Sequence, residues 1–228
     1  MPTTKIIMSQ RERQLISQRS ILLFLIALIC FCQLIQAQKK LFQTWSDPSF
    51  HEILIDSDHI SKITFRSHSD ESVKLYTRSE GEIVANSIIT VEETLDQLSI
   101  RTDFTPFYLP KNDKLAAHKV LAIELILIVP DHMNIVVRAA IADVYGSGTF
   151  NSFETELENG FLKLRSFRGD ALLLSKWGAI EVRALSDVGG TAISKYNTVI
   201  NNLGAKQPFM IKAESLHGTI KLLQTKKI

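Results

Sequence analysis

The stretch "ENGFLKL" at residues 158–164 returns as "KWGAIEV" at 176–182 and as "LHGTIKL" at 216–222. Each copy runs glycine, spacer, aliphatic, charge, aliphatic. With the glycine as origin, the copies sit at Gly160, Gly178 and Gly218. A weaker copy, "KYNTVIN", has Asn197 at its origin, and "RAAIADV" fits with Ala140 there. The separations are 20, 18, 19 and 21 residues, and periods of this length point to stacked supersecondary units. Two positions after the origin stand Ala142, Leu162, Ile180, Val199 and Ile220; four after stand Val144, Leu164, Val182, Asn201 and Leu222. Alternating apolar positions rich in β-branched residues describe strand, not helix. The expected fold is therefore all-β, a β-solenoid of the single-stranded β-helix or β-roll type with turns of about 18–21 residues.

Glycine or asparagine at the origin suits a bend where φ > 0 or a close backbone approach excludes a side chain. Stacking in chain order would align Asp143, Lys163, Glu181, Ile200 and Lys221 in one outward column about 4.8 Å apart. The first three charges alternate in sign, which would fix register rather than make a site.

Upstream the pattern is less regular but still strand-like. "HEILID" (51–56), "SKITFRS" (61–67), "SVKLYTR" (72–78) and "QLSIRTD" (97–103) alternate with period two. "VLAIELILIVP" (120–130) is apolar except for Glu124 and reads as a central strand buried on both faces. "TDFTPFYLPKNDKLAAH" (102–118), with two prolines and three aromatic residues, reads as a protruding loop. The regular copies cover about 133–224 and the less regular strands 50–130, with no linker to divide them.

The first forty residues have a different character. Arg11, Arg13 and Arg19 precede the apolar run "ILLFLIALICFC" (21–32), and "QLIQAQ" follows. A basic segment, a short apolar core and a small residue describe a secretory signal peptide, here residues 1–37 with cleavage after Ala37. The alternative is an uncleaved membrane anchor, for which the run is short. Loss of Lys5, Arg11, Arg13, Arg19 and Glu12 takes 26 basic and 24 acidic residues to 22 and 23, a net charge of −1. There is then no basic surplus to suggest nucleic acid. Both cysteines, Cys30 and Cys32, lie in the leader, so the mature chain 38–228 holds no disulfide framework.

The order of these features resembles a known family. Strands such as "KITFRS" and "SVKLYT" lead to "QLSIRT", then to an aliphatic strand ending in "IVP", then to the serial glycine copies. This is similar to the bacterial putative-adhesin domain family of unknown function, over roughly Phe50 to Leu222. The resemblance implies an exported single-stranded β-helix and brings no catalytic residues with it.

No cofactor or metal motif is present. His51, His59, His68, His118, His132 and His217 form no zinc-ligand spacing, and no mature cysteine remains to assist them. Glu154, Glu156 and Glu158 share one strand face about 7 Å apart, the arrangement a polysaccharide-acting enzyme on this scaffold would need. A solvated outer face is the simpler explanation, because nothing near them in the sequence would set one carboxyl apart as an acid. One position before each origin stand Trp177, Tyr196 and His217. These rings either form an outward platform for sugars or stack on one another at a corner. Ser175, Ser194 and Ser215, three before the origin, read as corner residues bonded to backbone.

The functional expectation is a non-catalytic exported protein of the periplasm or cell surface, adhesin-like. Its partner would be a glycan or envelope protein, with membrane contact only through the leader. Trp177, Tyr196, His217, Phe104, Phe107 and Tyr108 are the candidate contacts. An envelope enzyme and a protein that self-associates through open solenoid ends are the alternatives.

Overall fold

A computed structural model describes residues 38–81, 84–106, 108 and 121–225, and the residues from Lys39 onward form one compact unit. The expected leader, Phe107 and residues 109–118 of the expected loop lie outside the described residues. The first six strands are β1 (Gln38–Trp45), β2 (Glu52–Asp56), β3 (Ile60–His68), β4 (Val73–Glu80), β5 (Ser87–Glu93) and β6 (Gln97–Phe104). Next come β7 (Ala122–Pro130), β8 (Asn134–Ile141) and two long strands, β9 (Asp143–Asn159) and β10 (Phe161–Ser175). The last five are β11 (Ala179–Ala184), β12 (Val188–Ser194), β13 (Val199–Asn201), β14 (Phe209–Ser215) and β15 (Ile220–Gln224).

All fifteen belong to one sheet, curled into a half-barrel around the core. One limb runs β1-β4-β7-β3-β9-β10-β11-β15-β13, and the other runs β5-β6-β2-β8-β9-β10-β14-β12. Strands β9 and β10 are long enough to serve both limbs, turning from one to the other at bulges. In β10 the turn lies between Arg165 and Asp170, where Ser166 takes φ 48° and Gly169 φ 140°.

This architecture corrects the expected solenoid in two ways. The sheet is mixed, with β4 antiparallel to β7 and β5 antiparallel to β6. The copies also do not stack in chain order: β15 pairs with β11, and β13 lies outside β15. Likewise β14 pairs with β10 and β12 lies beyond it. The cause is visible at the corner. A Cβ on Gly178 would strike the Gly160 carbonyl, and one on Gly218 would strike the Gly178 carbonyl. Only glycine fits beside Gly178, so the Gly218 copy takes that place. The Asn197 copy moves to the edge, where its Nδ2 donates to the His217 carbonyl at 2.8 Å.

Register changes the expected outward column too. Leu162 faces Val144, not Ala142, so Lys163 is flanked by Tyr145 and Glu181, and Glu181 by Lys221. Ile200 ends the row beyond Lys221. Lys163 still reaches Glu181, at 3.1 Å.

Inside the curl, the inner strands of both limbs bury alternate residues: Ile63, Val144, Leu162, Ile180 and Ile220 on one, Ile53, Ile135, Phe153 and Ile211 on the other. Phe65, Phe150, Phe153 and Phe167 fill the space between, with Phe153 edge-on to Phe65 at 5.5 Å and to Phe150 at 5.3 Å. Strand β7 is central, between β3 and β4, but it is not buried on both faces as expected. Its outward Ile126 is 38% exposed, because the half-barrel packs one face only.

Candidate functional site

The corner between the end of β10 and the start of β11 carries the ring residues. Three tight turns lie side by side there. The Gly178 N–H donates to Ser175 Oγ and the Gly218 N–H to Ser215 Oγ, both at 2.8 Å, while Ser194 Oγ donates to the Gly218 carbonyl at 2.8 Å. Ser175, Ser215 and Ser194 are themselves aligned across β10, β14 and β12. The first two bonds are buried and hold the Gly178 and Gly218 turns in one conformation, while the half-buried Ser194 bond ties its strand to the Gly218 turn.

Backbone bonds then tie the turns together. The Trp177 N–H donates to the Glu158 carbonyl, the His217 N–H to the Lys176 carbonyl, both at 2.8 Å, and the Tyr196 N–H to the Leu216 carbonyl at 3.0 Å. The rings follow the order of the strands. His217 lies between the other two, its centroid 3.8 Å from Trp177 at 6° and 4.9 Å from Tyr196 at 20°. Three flat rings thus form one stack. Trp177 and Tyr196 remain 53% and 61% exposed.

Stacking decides which faces are free. Both faces of His217 are covered, and Lys195 Nζ lies 5.0 Å from the Tyr196 ring centre. Among the described residues no second ring and no cation lies over the Trp177 indole, whose side chain is half-exposed. The stack is therefore an edge with one open end rather than a broad platform.

Beside it lies a shallow groove of about 840 Å³. Asp56, Asp58, Glu156, Glu158 and Glu214 line it together with Arg138, Lys176 and Lys195, and Leu174 and Ile193 form its apolar part. Across the strands, Asp56 faces Arg138 and Arg138 faces Glu156, so opposite charges alternate. The groove takes in Glu156 and Glu158 but not Glu154. Sequence reasoning had not brought in Asp56, Asp58, Arg138 or Glu214, which come from three separate strands and a turn.

The second aromatic group is elsewhere. Phe104 closes β6 and packs on His59 at 4.7 Å and on Tyr108 at 5.5 Å. It lies four strands from the corner, about 20 Å away. A smaller depression of about 350 Å³, lined by His59, Arg101 and Asp103, shares Asp56 and Asp58 with the main groove. Among the described residues no three His, Cys, Asp or Glu side chains gather in a way that could hold a metal.

No family model matches the sequence, and no curated protein matches it. Solved structures do. A "putative cell adhesion protein" of Clostridium sporogenes aligns with a TM-score of 0.57 at 10% identity, covering 82% of this chain and 100% of that one. A "putative adhesin" of Bacteroides fragilis aligns at TM-score 0.38 and 15% identity, over 81% and 97%. One from Parabacteroides merdae aligns at TM-score 0.27 and 11% identity, over 84% and 98%. At these identities the likeness is one of fold, and the Clostridium protein carries it.

Proposed function

We propose that this chain is an exported, non-catalytic, adhesin-like module of the bacterial envelope that holds a surface glycan at the Trp177 corner. The observation that carries the reading is the stack itself: an indole stacked on His217 and still 53% exposed, next in the chain to Lys176, which lines a charged groove. An aromatic residue already held in place loses little freedom when it meets a sugar face. Alternating carboxylates and cations beside it offer acceptors and donors to hydroxyl groups. The fold shared with the Clostridium protein supports the same reading. Residues 1–37 act in it as a cleaved export signal.

The test is glycan-array binding by the purified protein beside a Trp177→Ala, Tyr196→Ala variant. Both side chains are more than half exposed, so the variant keeps its fold, checked by far-UV circular dichroism. Binding by the parent and its loss in the variant is the expected result. Equal binding by both proteins removes the corner from the account. Glycan cleavage that depends on Glu156 or Glu158 would replace the adhesin reading with an enzyme.

A further inference from the structure

The outer face of the other limb has a charge pattern that the ring stack does not use. Two adjacent cross-strand rows run over it. The first is Tyr76, Ile126, Thr64, Tyr145, Lys163, Glu181, Lys221 and Ile200. The second is Lys74, Ile128, Arg66, Ser147, Arg165, Arg183 and Leu223. Together they hold six cations and one carboxylate, Glu181, in a chain whose formal net charge is only +2.

Glu181 is already taken by Lys163 at 3.1 Å and Arg183 at 3.5 Å. Arg66 and Arg165 are exposed and have no ion-pair partner among the described residues. Arg165 also stands directly opposite Arg183 on the next strand. Like charges in facing positions oppose strand pairing, so this placement works against the sheet. A local rule broken without a structural gain marks a site of use.

Shape narrows the partner. Two shallow depressions, of about 440 Å³ and 360 Å³, meet at Lys163 and Arg165, one bounded by Arg66 and the other by Arg183. The arginines lie in single file along this trough. Arg66 and Arg165 are two strands apart, about 10 Å, and Arg183 is about 5 Å further. A narrow file of planar forks matches a linear chain carrying one carboxylate after another. Single-stranded nucleic acid would call for successive rings between the cations, and among the described residues the trough holds one partly exposed ring only, Tyr145 at its Arg66 end.

We infer that this trough binds an acidic polysaccharide of the uronate type, gripped by Arg66, Arg165 and Arg183. The inference goes beyond the reading of the ring corner, which lies about 20 Å away along β11, and the two stand or fall separately.

Titration calorimetry of the purified protein with polygalacturonate tests it. The Arg66→Gln, Arg165→Gln variant is expected to bind about 100-fold more weakly and to show a shallower salt dependence. Its melting temperature should match or exceed the parent's, since no ion pair is lost. Arg165→Lys, which keeps charge but not the fork, should fall between. Absence of polygalacturonate binding, unchanged affinity in the double variant, or a collapsed melting temperature would each overturn the inference. So would binding of anionic phospholipid vesicles or single-stranded DNA in preference to polygalacturonate.

Discussion

Replacing Gly218 by alanine isolates the contact that orders the corner. Gly218 does not have positive φ, so the penalty is one of space alone. Its new methyl would lie 2.6 Å from the Gly178 carbonyl carbon and 2.7 Å from Ser215 Oγ, and would overlap the Gly178 oxygen. Comfortable separation is about 3.5 Å, so clearing the overlapped Gly178 oxygen makes the turn retreat by roughly 1.5 Å or more. That movement removes the Gly218 N–H bond to Ser215 Oγ and strains the His217 N–H bond to the Lys176 carbonyl, each 2.8 Å long. Two bonds at about 1 kcal/mol each, with about 1–3 kcal/mol for overpacking, give a loss of about 3–5 kcal/mol. Urea unfolding followed by circular dichroism measures it, and Trp177 fluorescence reports the loss of the His217 stack. Gly204→Ala is the control, because its methyl would approach nothing closer than Gln207 Nε2 at 3.1 Å. It should change stability by no more than about 0.5 kcal/mol. A Gly218→Ala loss below about 1 kcal/mol, or one equal to the control, would refute the reasoning.

Phe153→Ala should cost about 3–5 kcal/mol, since the ring is fully buried and touches Phe65, Phe150 and Phe167; chemical denaturation checks this. Glu181 gives a pH signature. Burial raises its carboxyl, but hydrogen bonds and attraction from Lys163 and Arg183 outweigh this and hold it below its ordinary 4.5. Its contribution is thus complete above pH 4.5 and is lost as pH falls through the lower folded value. Glu181→Gln should therefore lose less stability than the parent between pH 6 and pH 3, and parallel curves would contradict the assignment. Ser215→Ala, which removes a buried acceptor from the Gly218 N–H, should cost about 1–3 kcal/mol by the same unfolding assay.

Much of the strand content was legible because alternation survives at each origin: Leu162, Ile180 and Ile220 do face inward. The order of the strands was not read, although its signal was present. Asn197 lacks the one property, absence of a Cβ, that Gly178 demands of its neighbour. Nor could spacing show that Lys163 would face Tyr145 rather than Asp143, because register in β9 is set by pairing with β3 as well as β10. The rings were found in sequence, but not that His217 would separate Trp177 from Tyr196. Of the charged groove only Glu156 and Glu158 were signalled in the sequence, and the arginine file had no signature. Arg66, Arg165 and Arg183 come from three distant segments and meet only through register.

The placement of β15 between β11 and β13 underlies the fold, the ring stack and the groove alike. Cysteine pairs test it directly, in a chain where Cys30→Ser and Cys32→Ser remove the native thiols. Facing residues on adjacent strands are about 4.8 Å apart, within disulfide reach, and those two strands apart are about 9.6 Å apart and outside it. Under oxidation, Glu181→Cys with Lys221→Cys, and Lys221→Cys with Ile200→Cys, should cross-link within one chain, as their register pairs require. Glu181→Cys with Ile200→Cys should not. If that last pair closes and the first does not, the copies stack in chain order and the account of the corner is wrong.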